Sequence, residues 1–193
     1  MDNLTLTRNI ESKLSDGLVT EQEMTDYLVV HFYADLRRLA LNILHDTAEA
    51  EDVAQQAVIR AVRKKDRYRP GSNLKGWLFK ITVNLARDYL RRKRTKQRLH
   101  NLLTLRFKAE KHIENQPNPE LLLIRSEQEQ AVWSAVNQLS EKHRLPILLR
   151  YDFGLQDADI GEILGIPHGT VRSRLYHAHK QLHRILSAAG GSK

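Results

Sequence analysis

The chain of 193 residues contains no cysteine. That excludes disulfides, thiolate nucleophiles and cysteine-ligated zinc or iron–sulfur centres, so any redox sensing resides in a partner. Long apolar runs are also missing: no stretch approaches the ~18 residues needed to span a bilayer, and the N-terminal "MDNLTLTRNIESKLSDG" is polar and mixed in charge rather than a signal peptide. The expectation is a cytoplasmic protein without membrane insertion. Strand-like alternation is absent, as are a glycine-rich phosphate loop, a carboxylate cluster spaced for magnesium and a nucleophile–base set. The chain is therefore expected to be no enzyme, with no catalytic residue, cofactor or metal. Acidic residues are comparatively scarce: Lys plus Arg exceeds Asp plus Glu by 31 − 23 = 8. With a pI near 9.8, a polyanionic partner is favoured, either nucleic acid or an anionic membrane.

Helical periodicity dominates what is present. "TEQEMTDYLVVHFYADLRRLALNIL" (Thr20 to Leu44) reads as one long helix, and "AEAEDVAQQAVIRAVRKKDRY" (Ala48 to Tyr68) as a second, with Asp46-Thr47 supplying a capped break. "RPGSN" is a turn in which Ser72 or Asn73 can cap the next helix, Leu74 to Arg94. From about Thr95 to Glu120 periodicity is lost, and "NQPNPE" closes a segment read as an interdomain linker. Helices are expected near Leu121–Leu139, Glu141–Asp152, Asp157–Leu164 and Pro167–Leu186, with a frayed tail "SAAGGSK". The fold class is all-α, in two small helical domains on a flexible linker. Its segments are a 1–20 extension, a first domain 21–95, a linker 96–120 and a second domain 121–193.

"GEILGIPHGTVRSRL" (Gly161 to Leu175) has the chemistry of a helix-turn-helix. Gly161 is the small residue that lets two helices cross closely, and Gly165 accepts the positive φ of the turn. Pro167 starts the next helix, where the first amides lack intrahelical partners. Val171, Leu175, Ala178, Leu182 and Ile185 recur at helical spacing and should face inward. Arg172, Ser173, Tyr176 and His177 are left on the outer side of the first turns, where recognition helices meet base edges. An ordinary helical hairpin with a basic solvated face has the same periodicity. His177, His179 and His183 lack a nearby acid to complete a metal site and read as solvated or phosphate-facing.

On the helix from Leu74, a core stripe of Leu74, Leu78, Ile81 and Leu85 runs beside Trp77, Lys80, Asn84, Arg87 and Arg91. Between Asn84 and Arg98 the cations Arg87, Arg91, Arg92, Lys93, Arg94, Lys96 and Arg98 face one acid, Asp88. Like charges at this density repel without a counter-anion, so phosphate contact is favoured over a solvated helix end. Trp77 serves equally well as a core anchor or as a stacking platform for an exposed base.

"AEDVAQQAVIRAV", "DRYRPGSNLKGWLFKITVNLARDYLRRKR" and "LGIPHGTVRSRLYHAHKQL" together resemble the bacterial sigma factors of the extracytoplasmic-function group, over roughly Tyr33 to Leu186. The resemblance implies two domains bound to core RNA polymerase, one melting and reading the promoter −10 element and the other reading the −35 duplex. It places Asp52, Gln55 and Gln56 on the coiled-coil clamp of the largest polymerase subunit. Asn84 falls where a base flipped from the −10 strand is recognised, and Arg69 to Asn73 help form its pocket. Trp77, Lys80, Arg87, Arg91 and Arg92 surround it on the −10 DNA. Arg172, Ser173, Tyr176 and His177 fall on the −35 reading positions. Promoter DNA and core polymerase are the implied partners, and an anti-sigma factor is a further candidate. The chain departs from the pattern at Gln56 (usually Glu), at Val58 and Val62 (usually aromatic) and at His177 (usually basic). Gln156-Asp157-Ala158-Asp159 stands where Ser-Tyr-x-Glu is usual. A conventional helix-turn-helix regulator is the alternative; it explains the motif and the charge but leaves Trp77, Asn84 and the arginine run without a task.

Overall fold

The structure, a computed structural model, describes residues 18–69, 71–103 and 127–190, and every regular element among them is helical. The chain forms two compact units that meet in sequence between His100 and Asn101. Of the segments expected from sequence, most of the 1–20 extension and the linker from 104 to 120 lie outside the described residues.

The first unit opens with α1, Glu21–His31. Thr20 and Glu23 cap it reciprocally: the threonine hydroxyl accepts the Glu23 amide at 3.1 Å and the glutamate carboxylate accepts the Thr20 amide at 3.0 Å. Helix α2 spans Tyr33–Leu44. The single helix expected from Thr20 to Leu44 is thus two, bent at Phe32 (φ −126°, ψ −21°), although the Phe32 amide still reaches the Leu28 carbonyl at 2.9 Å. The cause lies in the buried residues. Met24, Tyr27 and Leu28 face the core from α1, and Leu36, Leu39, Ala40 and Ile43 from α2. At 3.6 residues per turn these two faces are about a quarter to a third of a turn out of phase, so a straight helix would leave one of them in water.

His45, in the left-handed conformation at φ 58°, ends α2, and the Asp46 carboxylate accepts the Glu49 amide at 2.9 Å to start α3, Thr47–Arg63. Its buried face is Ala50, Val53, Ala54, Ala57, Val58, Ala61 and Val62. Val58 and Val62 are therefore packed where the family usually carries aromatics, and the buried alanines of the same face, Ala50, Ala54, Ala57 and Ala61, allow close approach of α2.

Helix α4 is Leu74–Leu103, continuous past the expected end at Arg94. Its buried stripe also differs from expectation: Leu74, Leu78, Phe79, Thr82, Val83 and Ala86 are buried, whereas Ile81 and Leu85 are only half-buried. Apolar residues occur on several faces of this helix, and the core selects the Phe79–Val83 side, where the Phe79 ring is fully enclosed. The Thr82 hydroxyl donates to the Leu78 carbonyl at 3.0 Å, which satisfies a buried polar group locally.

In the second unit, α5 is Glu127–Asn137 and α6 is Glu141–Ile147. The helix expected to run on to Asp152 instead opens into a wider π turn, Leu148–Asp152. Pro146 lies inside α6 and has no amide for the regular ladder, and its ring crowds the preceding turn, so the chain rewinds past it. The Phe153 amide then reaches Leu148 O at 3.2 Å. Leu148 and Leu149 are fully buried by this turn, each worth about 1.5–3 kcal/mol of transfer free energy. Helix α7 is Asp157–Leu164, and α8 is His168–Gly190, longer than expected and including the first residues of the predicted tail. Ile160, Ile163, Leu164, Val171, Leu175 and Ala178 close the core between them.

Candidate nucleic-acid and partner interfaces

The turn between α7 and α8 follows from two glycines. Gly165 adopts φ 67°, ψ 40°, and its amide donates to the Gly161 carbonyl. A Cβ placed on Gly161 would lie 2.9 Å from the Ile166 carbonyl oxygen and 3.7 Å from Val171 Cγ2, so only glycine lets the turn and α8 sit this close. Pro167 precedes α8, and its carbonyl accepts the amides of Thr170 and Val171 at 2.9 and 3.2 Å. Val171, Leu175 and Ala178 are buried as expected; Leu182 and Ile185, farther along, are half-buried.

Arg172, Ser173, Tyr176 and His177 all lie exposed on the outer side of α8. Tyr176 is 65% exposed, a large amphipathic ring in water. The His177 ring lies 5.5 Å from that of Tyr176 and 6.3 Å from that of buried His143. Burial, with Lys142 close by, holds the His143 imidazole below its ordinary value of 6.5. His179 is hydrogen-bonded to the Tyr151 hydroxyl at 2.9 Å. Among the described residues no three His, Cys, Asp or Glu side chains converge as a metal site.

One residue at this surface has no counterpart among the sequence-derived candidates. The Asp157 carboxylate, at the start of α7, lies 3.5 Å from Arg172 Nε, 3.7 Å from Arg150 Nη1 and 3.9 Å from His168 Nε2. Arg150 is itself held by the Leu155 carbonyl at 3.2 Å and Gln156 Oε1 at 3.1 Å. The only signal in the sequence is that Asp157 departs from the family pattern.

On α4, Asn84 is exposed, with Trp77, Lys80 and Arg87 partly exposed and Arg91 and Arg92 fully so. At 100° per residue the row from Trp77 through Arg91 lies opposite the buried stripe of Leu78, Phe79, Thr82 and Ala86. Trp77 is partly buried, its ring 5.6 Å from that of buried Tyr68. The Tyr68 hydroxyl donates to the Ser72 carbonyl at 2.5 Å. Gly71 takes φ 78°, and Asn73 Oδ1 accepts the Gly76 amide at 3.0 Å, which makes Asn73 the cap. The turn is thereby tied to the same face as Asn84. Within the basic run, Arg91 pairs with Asp88 at 3.0 Å, and Lys93 reaches Glu49 of α3 at 2.6 Å.

Asp52, Gln55 and Gln56 are exposed on one side of α3, opposite its buried alanine–valine stripe, and Ile59 continues that side with an exposed apolar side chain. An acid, two amides and an aliphatic within about two turns suit a protein partner better than a phosphate backbone.

Comparison with known proteins finds a match in each unit. Sigma-70 region 2 matches residues 28–96, and sigma-70 region 4 matches residues 129–182. The chain is 32% identical over 165 residues to the RNA polymerase sigma-H factor of Pseudomonas aeruginosa, covering 83% of this chain and 85% of that one. It is 30% identical over 182 residues to the ECF RNA polymerase sigma-E factor of Escherichia coli, covering 90% and 95%. Among solved structures, the sigma factor RpoE of Bartonella quintana, in complex with the anti-sigma factor NepR, matches with a TM-score of 0.63 at 28% identity, covering 84% of this chain and 95% of that one. CnrH, in complex with the cytosolic domain of CnrY, shares the fold, with a TM-score of 0.63 at 20% identity, over 95% and 98%.

Proposed function

We propose a division of labour that proceeds from one premise: this chain belongs to the extracytoplasmic-function group of bacterial RNA polymerase sigma factors. It directs promoter-specific transcription initiation with core RNA polymerase, a function that a free-standing helix-turn-helix regulator does not share. Sigma factors are initiation factors, and in our reading the chemistry of RNA synthesis belongs wholly to the polymerase, in the cytoplasm. The outer face of α3, with Asp52, Gln55 and Gln56, engages the polymerase clamp. The α4 face, with Trp77, Lys80, Asn84, Arg87, Arg91 and Arg92, takes the melted −10 strand. Arg172, Ser173, Tyr176 and His177 of α8 read the −35 duplex. Residues 21–95 and 121–193 act as the two DNA-binding domains, and 96–120 join them. The RpoE of Bartonella quintana is complexed with the anti-sigma factor NepR; a protein of that kind is a candidate partner here.

The observation that carries the reading is the exposure of Asn84 beside a half-open Trp77, on the cation-bearing side of α4. An amide offers a donor and an acceptor to a base edge that is accessible only once the base has left the duplex. Each DNA-facing surface is small, so the two are strong only when the polymerase holds them on one promoter. The free chain should therefore show negligible specific binding to duplex promoter, and its complex with core enzyme tight binding, in parallel gel-shift titrations. Nanomolar sequence-specific binding by the free chain at physiological salt contradicts the proposal.

A further inference from the structure

Asp157 is an awkward residue for stability alone. Its carboxylate is largely buried, and Oδ1 accepts no hydrogen bond, a desolvation cost that close packing does not recover. Around it lie the Arg150 guanidinium on one oxygen and the Arg172 guanidinium and His168 imidazole on the other. We propose that Asp157 is a specificity-determining positioning residue that aims the Arg172 guanidinium at the base it reads and discourages contact with DNA of the wrong sequence. This rests on the reading of α8 as the −35 helix.

Arg150 is the fixed end of the arrangement. Its hydrogen bonds to Leu155 O and Gln156 Oε1 hold it at the base of α7, and it anchors the carboxylate. Arg172 is the outward end, with a side chain 71% exposed. The carboxylate approaches it through Nε, at a distance beyond the ~2.7–3.2 Å of a well-made hydrogen bond. The attraction biases the direction of the side chain without occupying the outer Nη donors that a guanine edge needs. A carboxylate this sheltered is less screened by salt than one on the open surface.

The effect on DNA has two parts. A negative charge beneath the reading face opposes phosphate for every sequence equally. Pre-aiming Arg172 gains free energy only when the matching base is present. Together they widen the gap between right and wrong sites while lowering affinity for both. The family pattern has tyrosine here, so the device is not part of that pattern.

The test uses holoenzyme assembled from core polymerase and wild-type, Asp157→Asn, Arg172→Ala or doubly substituted chain. Each is presented with a promoter library randomised through the −35 element, and bound fragments are sequenced. Asp157→Asn should lower the preference at one or two −35 positions by about threefold or more, and raise binding to a scrambled duplex with a salt slope steeper by about one. In the Arg172→Ala background the same substitution should leave the preference unchanged. Asp157→Glu keeps the charge but moves the carboxylate by one methylene. It should alter the preference without raising scrambled-duplex binding, and it replaces the asparagine variant should that fail to fold by circular dichroism. An unchanged preference in Asp157→Asn, or a loss that persists without Arg172, overturns the proposal. A wild-type holoenzyme that selects no −35 sequence overturns the −35 reading itself.

Discussion

Glu49, in the first turn of α3, holds Lys93 of α4 at 2.6 Å. The same carboxylate accepts from the Tyr89 hydroxyl, and that bond, followed by burial, pushes the phenol up to about 12. One member of the basic run thus serves the fold, tying two helices together across 44 residues of sequence. A charge count along α4 cannot distinguish it from its neighbours; only the contact does.

The two DNA surfaces should fail at different steps. Arg172→Ala should weaken closed-complex formation on duplex promoter by about 1–3 kcal/mol if the side chain reads a base. Asn84→Ala should spare that step and impair opening, and a template with a pre-melted −10 bubble should not fully restore it. Permanganate footprinting of melted thymines beside a gel shift reads both steps. Identical defects in the two variants would end the assignment.

Asp52→Arg should weaken binding to core polymerase at least several-fold by reversing a charge on an exposed interface. Helicity should not change, because the side chain contributes nothing to the core. A labelled chain titrated with core enzyme, with circular dichroism as control, measures this. Wild-type affinity in a folded variant would move the clamp contact elsewhere.

Gly161→Ala should destabilise the second unit by about 1–3 kcal/mol, the usual cost of overpacking. The added methyl meets the Ile166 backbone carbonyl, which has no rotamer with which to retreat. Thermal unfolding followed by Trp133 fluorescence in a Trp77→Phe background isolates that unit. An unshifted midpoint would mean the turn can relax.

His143 supplies a pH dependence. Its folded value lies below 6.5, mainly through burial, so on acidification the unfolded chain takes up a proton before the folded one does. Stability of the second unit should fall as pH drops through the ordinary histidine value, and level off once pH is below the folded value. Denaturant midpoints from Trp133, at about pH 7.5 and about pH 5.5, should differ in wild type and converge in His143→Gln. Equal slopes in both proteins would assign the effect to other groups.

The parts legible in the sequence were those decided by short-range sterics. Gly161 and Gly165, four residues apart, announce a close crossing and a left-handed turn, and both are found. Asp46 and Asn73 cap the helices they precede. What depended on the rest of the fold was not legible. Every residue from Glu21 to Leu44 tolerates helix, so the bend at Phe32 is visible only once two out-of-phase faces must share one core. Ile81 and Leu85 match a helical stripe as well as Phe79 and Val83 do, and packing alone chooses between them. The groups around Asp157 come from two elements, Arg150 from the π turn and His168 and Arg172 from α8, and follow no period. Pro146 marked the break in α6 plainly, yet the apolar run across it read as continuous helix.

The last turns of α4 set up an exchange between shape and ligand. From Arg91 to His100 every residue is exposed, so no core packing holds this stretch, and its neighbouring positive charges push against helix formation. Anything that neutralises those charges stabilises the helix, and by reciprocity anything that stabilises the helix tightens the hold on a polyanion. Alanine substitutions that raise helicity here, away from the arginines, would strengthen DNA binding without adding a contact. Glycines at the same positions would weaken it while leaving the net charge untouched.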